Sequence, residues 1–212
     1  MTRLKTSAEP KGRQRRADGE LSRARIIDAA AEIAVERGYE GTSVAAVSAK
    51  CGLPASSIYW HFKDKDDLIA AVIERSFGSW LSAWRLPDGG QPRERMVDMV
   101  GQALKALLKS PDFLRLGLML ALERRPVEPR ARTMFLSVRD EAARAITANM
   151  KEIVPGLTDA KAKQLTTFAL AGADGLFIAK EIGGDDVDLS ALFDILGQAL
   201  YTTATRMLDE NP

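Results

Sequence analysis

Residues 42–65 read TSVAAVSAKCGLPASSIYWHFKDK, and their punctuation decides the fold. Thr42 supplies an N-cap hydroxyl for a helix reaching about residue 50, Gly52 breaks it, and Pro54 opens a second helix that reaches about residue 61. Asp64, with Asp67 three residues on, is a shortened capping box at the head of a longer helix. Two short helices joined by a tight glycine turn, with a third before them, are what a helix-turn-helix needs. One helix braces on the DNA backbone and the other enters the major groove. Small Ser48 falls where the two helices cross, and Val47, Leu53 and Ile58 fall where the unit needs apolar contacts. Three-helix units with a glycine turn also occur as packing modules, so spacing alone leaves both uses open.

Working outward, Ile26, Ile27, Ala30, Ile33 and Ala34 repeat with helical period over 22–37, and Gly38 closes that segment. Downstream, the long helix over 64–84 runs into Pro87-Asp88-Gly89-Gly90, the clearest loop in the chain. Helices over 92–109, 111–124, 128–154, 158–182 and 189–209 follow, separated by proline and glycine pairs. No stretch alternates apolar and polar residues as a half-buried strand would. The expected fold is all-α with about nine helices. It divides into a basic arm over 1–20, a three-helix unit over 21–66 and a larger helical domain over 67–212.

Composition bounds the function classes. The chain of 212 residues is 46% apolar and 28% charged, which is globular rather than disordered composition. A formal net charge of +1 gives no overall field to attract nucleic acid, so any such signal is local. Residues 1–25 hold eight basic groups against three acidic ones. With almost nothing apolar to bury, residues 1–20 are expected to be mobile; they serve either as a DNA-seeking arm or as a solubility tail. The single cysteine, Cys51, excludes an internal disulfide and fits a reducing compartment, and no apolar run suits a signal peptide or a membrane span. The expected location is the cytoplasm.

Around the glycine turn, Arg25-Ile26-Ile27-Asp28-Ala29-Ala30, Glu36-Arg37-Gly38-Tyr39, Thr42-Ser43, Gly52-Leu53 and residues 57–65 together resemble the tetracycline-repressor (TetR) family of bacterial transcriptional regulators. The resemblance implies a dimeric repressor of a palindromic double-stranded DNA operator, with residues 21–66 as its DNA-binding domain and residues 67–212 as its ligand-binding and dimerisation domain. It implies phosphate contacts from Thr42 or Ser43, Tyr59, His61 and Lys65, and a groove-facing surface made of Ala55, Ser56, Ser57 and Trp60. Donor chemistry agrees, since hydroxyl, phenol, imidazole and amine all donate to phosphate oxygens, which fixes register without reading sequence. Pro54 and Ala55 depart from the polar residues frequent at those places in the family. Direct readout is then left to thymine-methyl contacts and single hydroxyl bonds, with more resting on DNA shape.

The remaining candidates are weighed against plainer uses. His61, the only histidine, has no nucleophile or carboxylate in a recognisable partner motif, and no phosphate loop, metal cluster or triad occurs, so no enzyme, cofactor or metal is expected. Cys51 reads as a small buried hydrophobe, with redox sensing as the alternative. Gly172 and Gly175 with Ala169, Ala171 and Ala173 make one helix small-faced between Leu165, Phe168, Leu176 and Phe177. With the row Leu189, Leu192, Phe193, Leu196 and Leu200 it reads as a two-fold interface between subunits through the last two helices, or as internal packing. Trp80, Trp84, Met96, Met99, Phe113, Met119 and Phe135 are either core filler or the lining of a cavity for a largely apolar organic effector.

Overall fold

A computed structural model describes residues 11–82, 89–109, 111–122 and 129–209, with the side chains of 11–15, 82, 112 and 113 excepted. Nine α-helices are found among the described residues, with no strand: α1 (Lys11–Gly41), α2 (Val44–Cys51), α3 (Ala55–His61), α4 (Lys65–Ser82), α5 (Pro92–Lys109), α6 (Asp112–Leu122), α7 (Arg130–Ile153), α8 (Asp159–Gly183) and α9 (Leu189–Asp209). A 3-10 turn, Gly184–Asp186, joins the last two. The all-α reading holds, and apart from the start of α1 the described helix ends fall within a few residues of the caps and breakers in the sequence.

The glycine turn is built as its residues require. Gly52 takes a left-handed conformation at φ 67°, which costs a residue with a Cβ more than glycine. Its N–H closes the helix on the Ser48 carbonyl, while the Ser48 hydroxyl donates to the Leu53 carbonyl at 2.7 Å. Small Ser48 therefore holds both arms of the turn. At the head of α4, the Asp67 N–H donates to Asp64 Oδ1 at 2.8 Å, the expected cap, while the return bond to Asp67 Oδ2 comes from the Lys63 N–H at 3.1 Å, one residue before the place a capping box gives it.

Two local expectations differ. The cap of α2 is Ser43, whose Oγ accepts from the Ala46 N–H at 3.2 Å, one residue beyond the expected Thr42. In addition, α1 begins at Lys11 and not near residue 22, so residues 11–20 are helical where a mobile arm was expected. Between Lys11 and Glu20 the residues are mostly good helix formers with no proline, and adding turns to an existing helix avoids the cost of nucleation. Gly38, at φ 68°, interrupts α1 where the sequence places its end.

One continuous core runs through the chain. Ile26, Ile27, Ile33, Val47 and Ile58 bury the three-helix unit against Leu68, Ile69 and Ile73 of α4. Each such side chain contributes roughly 1.5–3 kcal/mol of transfer free energy, so α4 is an integral wall of the N-terminal unit. The same helix packs along α7, which packs on α8, while α9 lies between α5 and α8. A helix shared by both halves can carry a displacement from one to the other.

In the last two helices, Leu165, Ala169 and Phe177 with Leu189, Phe193, Leu196 and Leu200 are buried within this chain, so most of the expected interface row is internal core. The apolar face left open keeps part of the expected small-residue patch: Phe168, Ala171 and Gly175, with Ile178 and Ile182, at spacings of three and four along α8, and Ile195 on α9. Helical period identifies faces, but which face meets its own chain depends on how the helices cross.

Candidate functional site

The seven residues of α3 divide cleanly. Ile58 is buried and anchors the helix; Ala55, Ser56, Tyr59 and Trp60 are exposed; Ser57 and His61 are half-buried at the edges. Trp60 is 76% exposed and Tyr59 57%, although large aromatics normally bury. Burying such surface against another molecule would be favourable. Ser43 stands exposed at the head of α2. Its oxygen caps the helix, which leaves its hydroxyl proton free to donate.

Two of the expected phosphate donors are already engaged. Thr42 is 1% exposed and its hydroxyl donates to the Gly38 carbonyl at 2.8 Å, so it ties down the interruption in α1. The Lys65 amine donates to the Tyr39 carbonyl at 3.2 Å, lies 3.4 Å from the Glu40 carboxylate and sits 4.3 Å from the Tyr39 ring centre. Lys65 closes the end of α1. Both donors are taken by backbone carbonyls exposed at helix ends, partners that a residue pattern does not display.

The extended α1 adds what the sequence reading lacked. Its Arg16, Gly19, Glu20 and Arg23 line a cleft with Trp60 and His61, so basic groups of α1 stand beside the exposed end of α3. Arg23 also lies over the Phe62 ring, 5.3 Å from its centre. The signal was present as a proline-free run of mostly good helix formers ahead of residue 22. Burial, and then the charge of Arg23, hold the His61 imidazole below its ordinary range, so at neutral pH it is an uncharged N–H donor. Cys51 is buried, with its thiol against the Ser48 carbonyl at 3.8 Å and its own carbonyl accepting from Arg25 at 2.7 Å, a structural place.

The helical half encloses a cavity of about 80 Å³ among α4, α5, α6, α7, α8 and α9. Of the expected lining residues, Trp80 and Met99 reach it. Met96 and Phe135 are buried elsewhere; the Phe135 ring lies 2.1 Å or less from where a Cβ on Gly117 would stand, so it fills the space that glycine leaves. Met119 is exposed on α6. Trp84 and the side chain of Phe113 lie outside the described residues. What the reading missed is polar: Arg139 of α7 and Asp174 of α8 join in a two-pronged ion pair on the cavity wall.

A second polar link joins the halves. Asp66, in the first turn of α4, accepts from the Tyr39 hydroxyl and the Ala131 N–H, each at 3.1 Å, and from the Arg130 N–H. Asp67 pairs with the Arg130 guanidinium. The free N–H groups at the head of α7 are thus capped by the helix that follows α3.

Residues 26–72 match the family described as bacterial regulatory proteins, tetR family. Relatives with names include the HTH-type transcriptional repressor KstR of Rhodococcus jostii, 30% identical over 89 residues, which are 42% of this chain and 42% of that protein. An HTH-type transcriptional repressor of Mycobacterium tuberculosis is 29% identical over 102 residues, 48% of this chain and 39% of that protein. The chain therefore spans about two-fifths of the length of the curated relatives it matches. Similar folds extend further: a transcriptional regulator from Rhodococcus sp. Rha1 has a TM-score of 0.70 at 20% identity, over 90% of this chain and all of that one. The regulator FadR from Bacillus subtilis, in complex with stearoyl-CoA, has a TM-score of 0.68 at 19% identity, over 85% of this chain and 98% of that one. Among the described residues no helix is long and apolar enough to cross a membrane. Residues 26–72 thus carry the helix-turn-helix segment of the tetR family of bacterial regulatory proteins.

Proposed function

We propose that this protein is a dimeric, sequence-specific DNA-binding regulator, a repressor that leaves its operator when a small, largely apolar effector enters the helical half. The observation that carries the reading is the exposed face of α3, with Ala55, Ser56, Tyr59 and Trp60 presented from a helix anchored by Ile58. Residues 21–66 read DNA, residues 67–212 bind effector and partner subunit, and the protein works as a binder in the cytoplasm, without catalysis. The names of its relatives, repressors among them, support the first part, and a neighbour that holds stearoyl-CoA in the same fold supports the second.

Dimerisation is supported by the open row Phe168, Ala171, Gly175, Ile178 and Ile182, together with Ile195, an apolar face that a two-fold four-helix contact would cover. The effector acts by binding one conformation more tightly than the other, and a coupling of about 1–3 kcal/mol lowers operator affinity 5- to 150-fold. Helix α4 transmits it, because it adjoins the end of α3 and carries Trp80 into the cavity wall.

Selection from a random duplex pool tests the reading. The expected winner is a pseudo-palindrome with half-sites about 34–36 Å apart; a single half-site bound as tightly would overturn the dimer, and no enrichment would overturn the regulator. On the selected duplex, Tyr59→Ala is expected to weaken binding by a similar factor on every sequence while leaving the slope of log affinity against log salt unchanged, because a neutral phenol bonds a phosphate without displacing a counterion. An unchanged affinity removes Tyr59 from the phosphate set.

His61 yields a pH test with a definite sign. In the free protein its affinity for a proton is depressed; a phosphate beside it in the complex raises that affinity, so binding takes up a proton. Operator affinity is expected to rise as pH falls from 7 to 5, by at most tenfold per unit. His61→Gln, which still donates an N–H, should flatten the curve. An identical pH profile for both proteins would place His61 away from the phosphates.

A further inference from the structure

The walls of the helical cavity are apolar apart from one pair of charges. Trp80 of α4, Met99 and Leu107 of α5, and Phe193 and Leu196 of α9 face the space, yet α7 and α8 contribute Arg139 and Asp174. The guanidinium nitrogens donate to the two carboxylate oxygens at 3.0 and 2.6 Å, and the side chains are 23% and 18% exposed. Such a pair is a poor device for stability, because the cost of desolvating both ions is comparable to their attraction, and apolar residues of similar volume would serve α7 and α8 as well. Its geometry does serve recognition: a guanidinium fork matches any carboxylate, and this one is already aligned at the edge of an apolar space.

The two partners are not equivalent. Arginine cannot lose its proton in a protein, whereas a carboxylate can become neutral by gaining one. Burial pushes the Asp174 carboxyl above its ordinary range, and the opposing pull of Arg139 does not restore it. Arg139 is the charged group that bears on Asp174 from the helices packed around it; the described lining from α4, α5, α6 and α9 carries none. The Arg139 guanidinium also lies 5.9 Å from the centre of the Phe135 ring, which helps hold the fork in place if Asp174 withdraws. A ligand amine on Asp174 would strand Arg139 as a partly buried cation without an anion, whereas a ligand carboxylate on Arg139 leaves only Asp174 to be neutralised.

We propose that the cavity binds an amphiphilic monocarboxylic acid whose carboxylate replaces Asp174 on the Arg139 fork while its apolar body fills the space beside Trp80, Met99 and Phe193. The inference rests on the effector-binding reading above and names the chemistry of that effector. The exchange balances: a ligand carboxylate and one proton enter, the Arg139–carboxylate pair is preserved with a new partner, and Asp174 leaves it as a neutral carboxylic acid. Net charge at the site is unchanged. At about 80 Å³ the cavity is smaller than the roughly 150 Å³ of one that holds benzene, so as it stands it takes only the first few carbons of a chain, and a longer body needs the helices to part. Because the exchange parts α7 from α8 at this point, it bears on the helix whose head is held by Asp66 and Asp67 of α4.

Octanoate, 1-octanol and octylamine share one chain and differ in the head group, so calorimetric titration of the full-length protein with each is the direct test. Octanoate is expected to bind at least tenfold more tightly than the other two. Its enthalpy should differ between phosphate and Tris buffers in proportion to a proton taken up, and its affinity should rise as pH falls from 8 to 6. Arg139→Gln should reduce octanoate to the affinity of octanol while octanol binding persists. Asp174→Asn removes the internal competitor, so it should tighten octanoate about tenfold and abolish proton uptake. Preference for octylamine, an octanoate preference that survives Arg139→Gln, or wild-type binding of octanoate without proton uptake would each overturn the proposal. The proton measurement needs no variant to fold. Operator affinity in the same samples separates the two readings: octanoate binding without operator binding overturns the regulator alone, and operator binding without octanoate binding overturns this inference alone.

Discussion

Asp66→Ala is expected to lower the stability of the folded chain by about 3 kcal/mol, which at 2–4 °C per kcal/mol for a chain of this size is a fall in Tm of roughly 6–12 °C. The reason lies at the head of α7. Its N-cap is Pro129, which offers no side-chain oxygen, so the first N–H groups of a 24-residue helix have no local partner. Asp66 supplies one from across the fold, accepting from the Arg130 and Ala131 N–H groups with a carboxylate placed where the helix dipole favours negative charge. Each hydrogen bond to a charged group contributes about 1.5–3 kcal/mol, and the Tyr39 hydroxyl loses its acceptor as well. Asp66→Asn keeps one acceptor oxygen and should lose less than half as much. Thermal unfolding of the three proteins measures this; a Tm within 2 °C of wild type for the alanine variant would show that water replaces the cap. Because Arg139 lies on the same helix, the alanine variant should also weaken any effect of a cavity ligand on operator affinity.

Gly197→Leu is expected to be more severe and to prevent α5 and α9 from packing. A Cβ at Gly197 would stand 2.9 Å from the Val97 Cα and 3.3 Å from its Cγ2. The first is backbone, so no rotamer change relieves the contact and the helices must separate along their whole crossing. Overpacking by a few methylenes already costs about 1–3 kcal/mol in a core that can adjust, and here more than 3 is expected. Gly101→Ala on α5 is the control, since nothing lies within 4 Å of its Cβ position; it should raise stability by up to about 1 kcal/mol through helix propensity. Denaturant unfolding of both variants decides it, and a Gly197→Leu midpoint equal to wild type would mean that α9 does not approach α5 this closely in solution.

What could be read from the residues was whatever acts within a few positions along the chain. Gly52, Pro54, the Asp64 and Asp67 pair and the breaks near Pro155-Gly156 and Gly183-Gly184 set helix ends through local dihedral and capping preferences, so the nine helices and the helix-turn-helix were legible. The outward face of α3 was legible too, because the buried Ile58 fixes which residues point away from the core. The start of α1 was missed because the scarcity of apolar residues was weighed over a proline-free run of mostly good helix formers. Everything else depended on residues far apart in sequence. Whether Thr42 and Lys65 are free to meet a phosphate is decided by the Gly38 and Tyr39 carbonyls. Met96 and Met99 look alike in a helical pattern, yet only the second meets the cavity, because the pattern separates inside from outside and not packed core from lined space. Arg139 and Asp174, 35 positions apart, and Asp66 and Ala131, 65 apart, are ordinary charged and apolar residues on helix surfaces until α4, α7 and α8 cross. Capping and turn preferences act over three or four residues and are written in the chain, whereas the partner of a long side chain is chosen by the crossing of helices, which only the packed core determines.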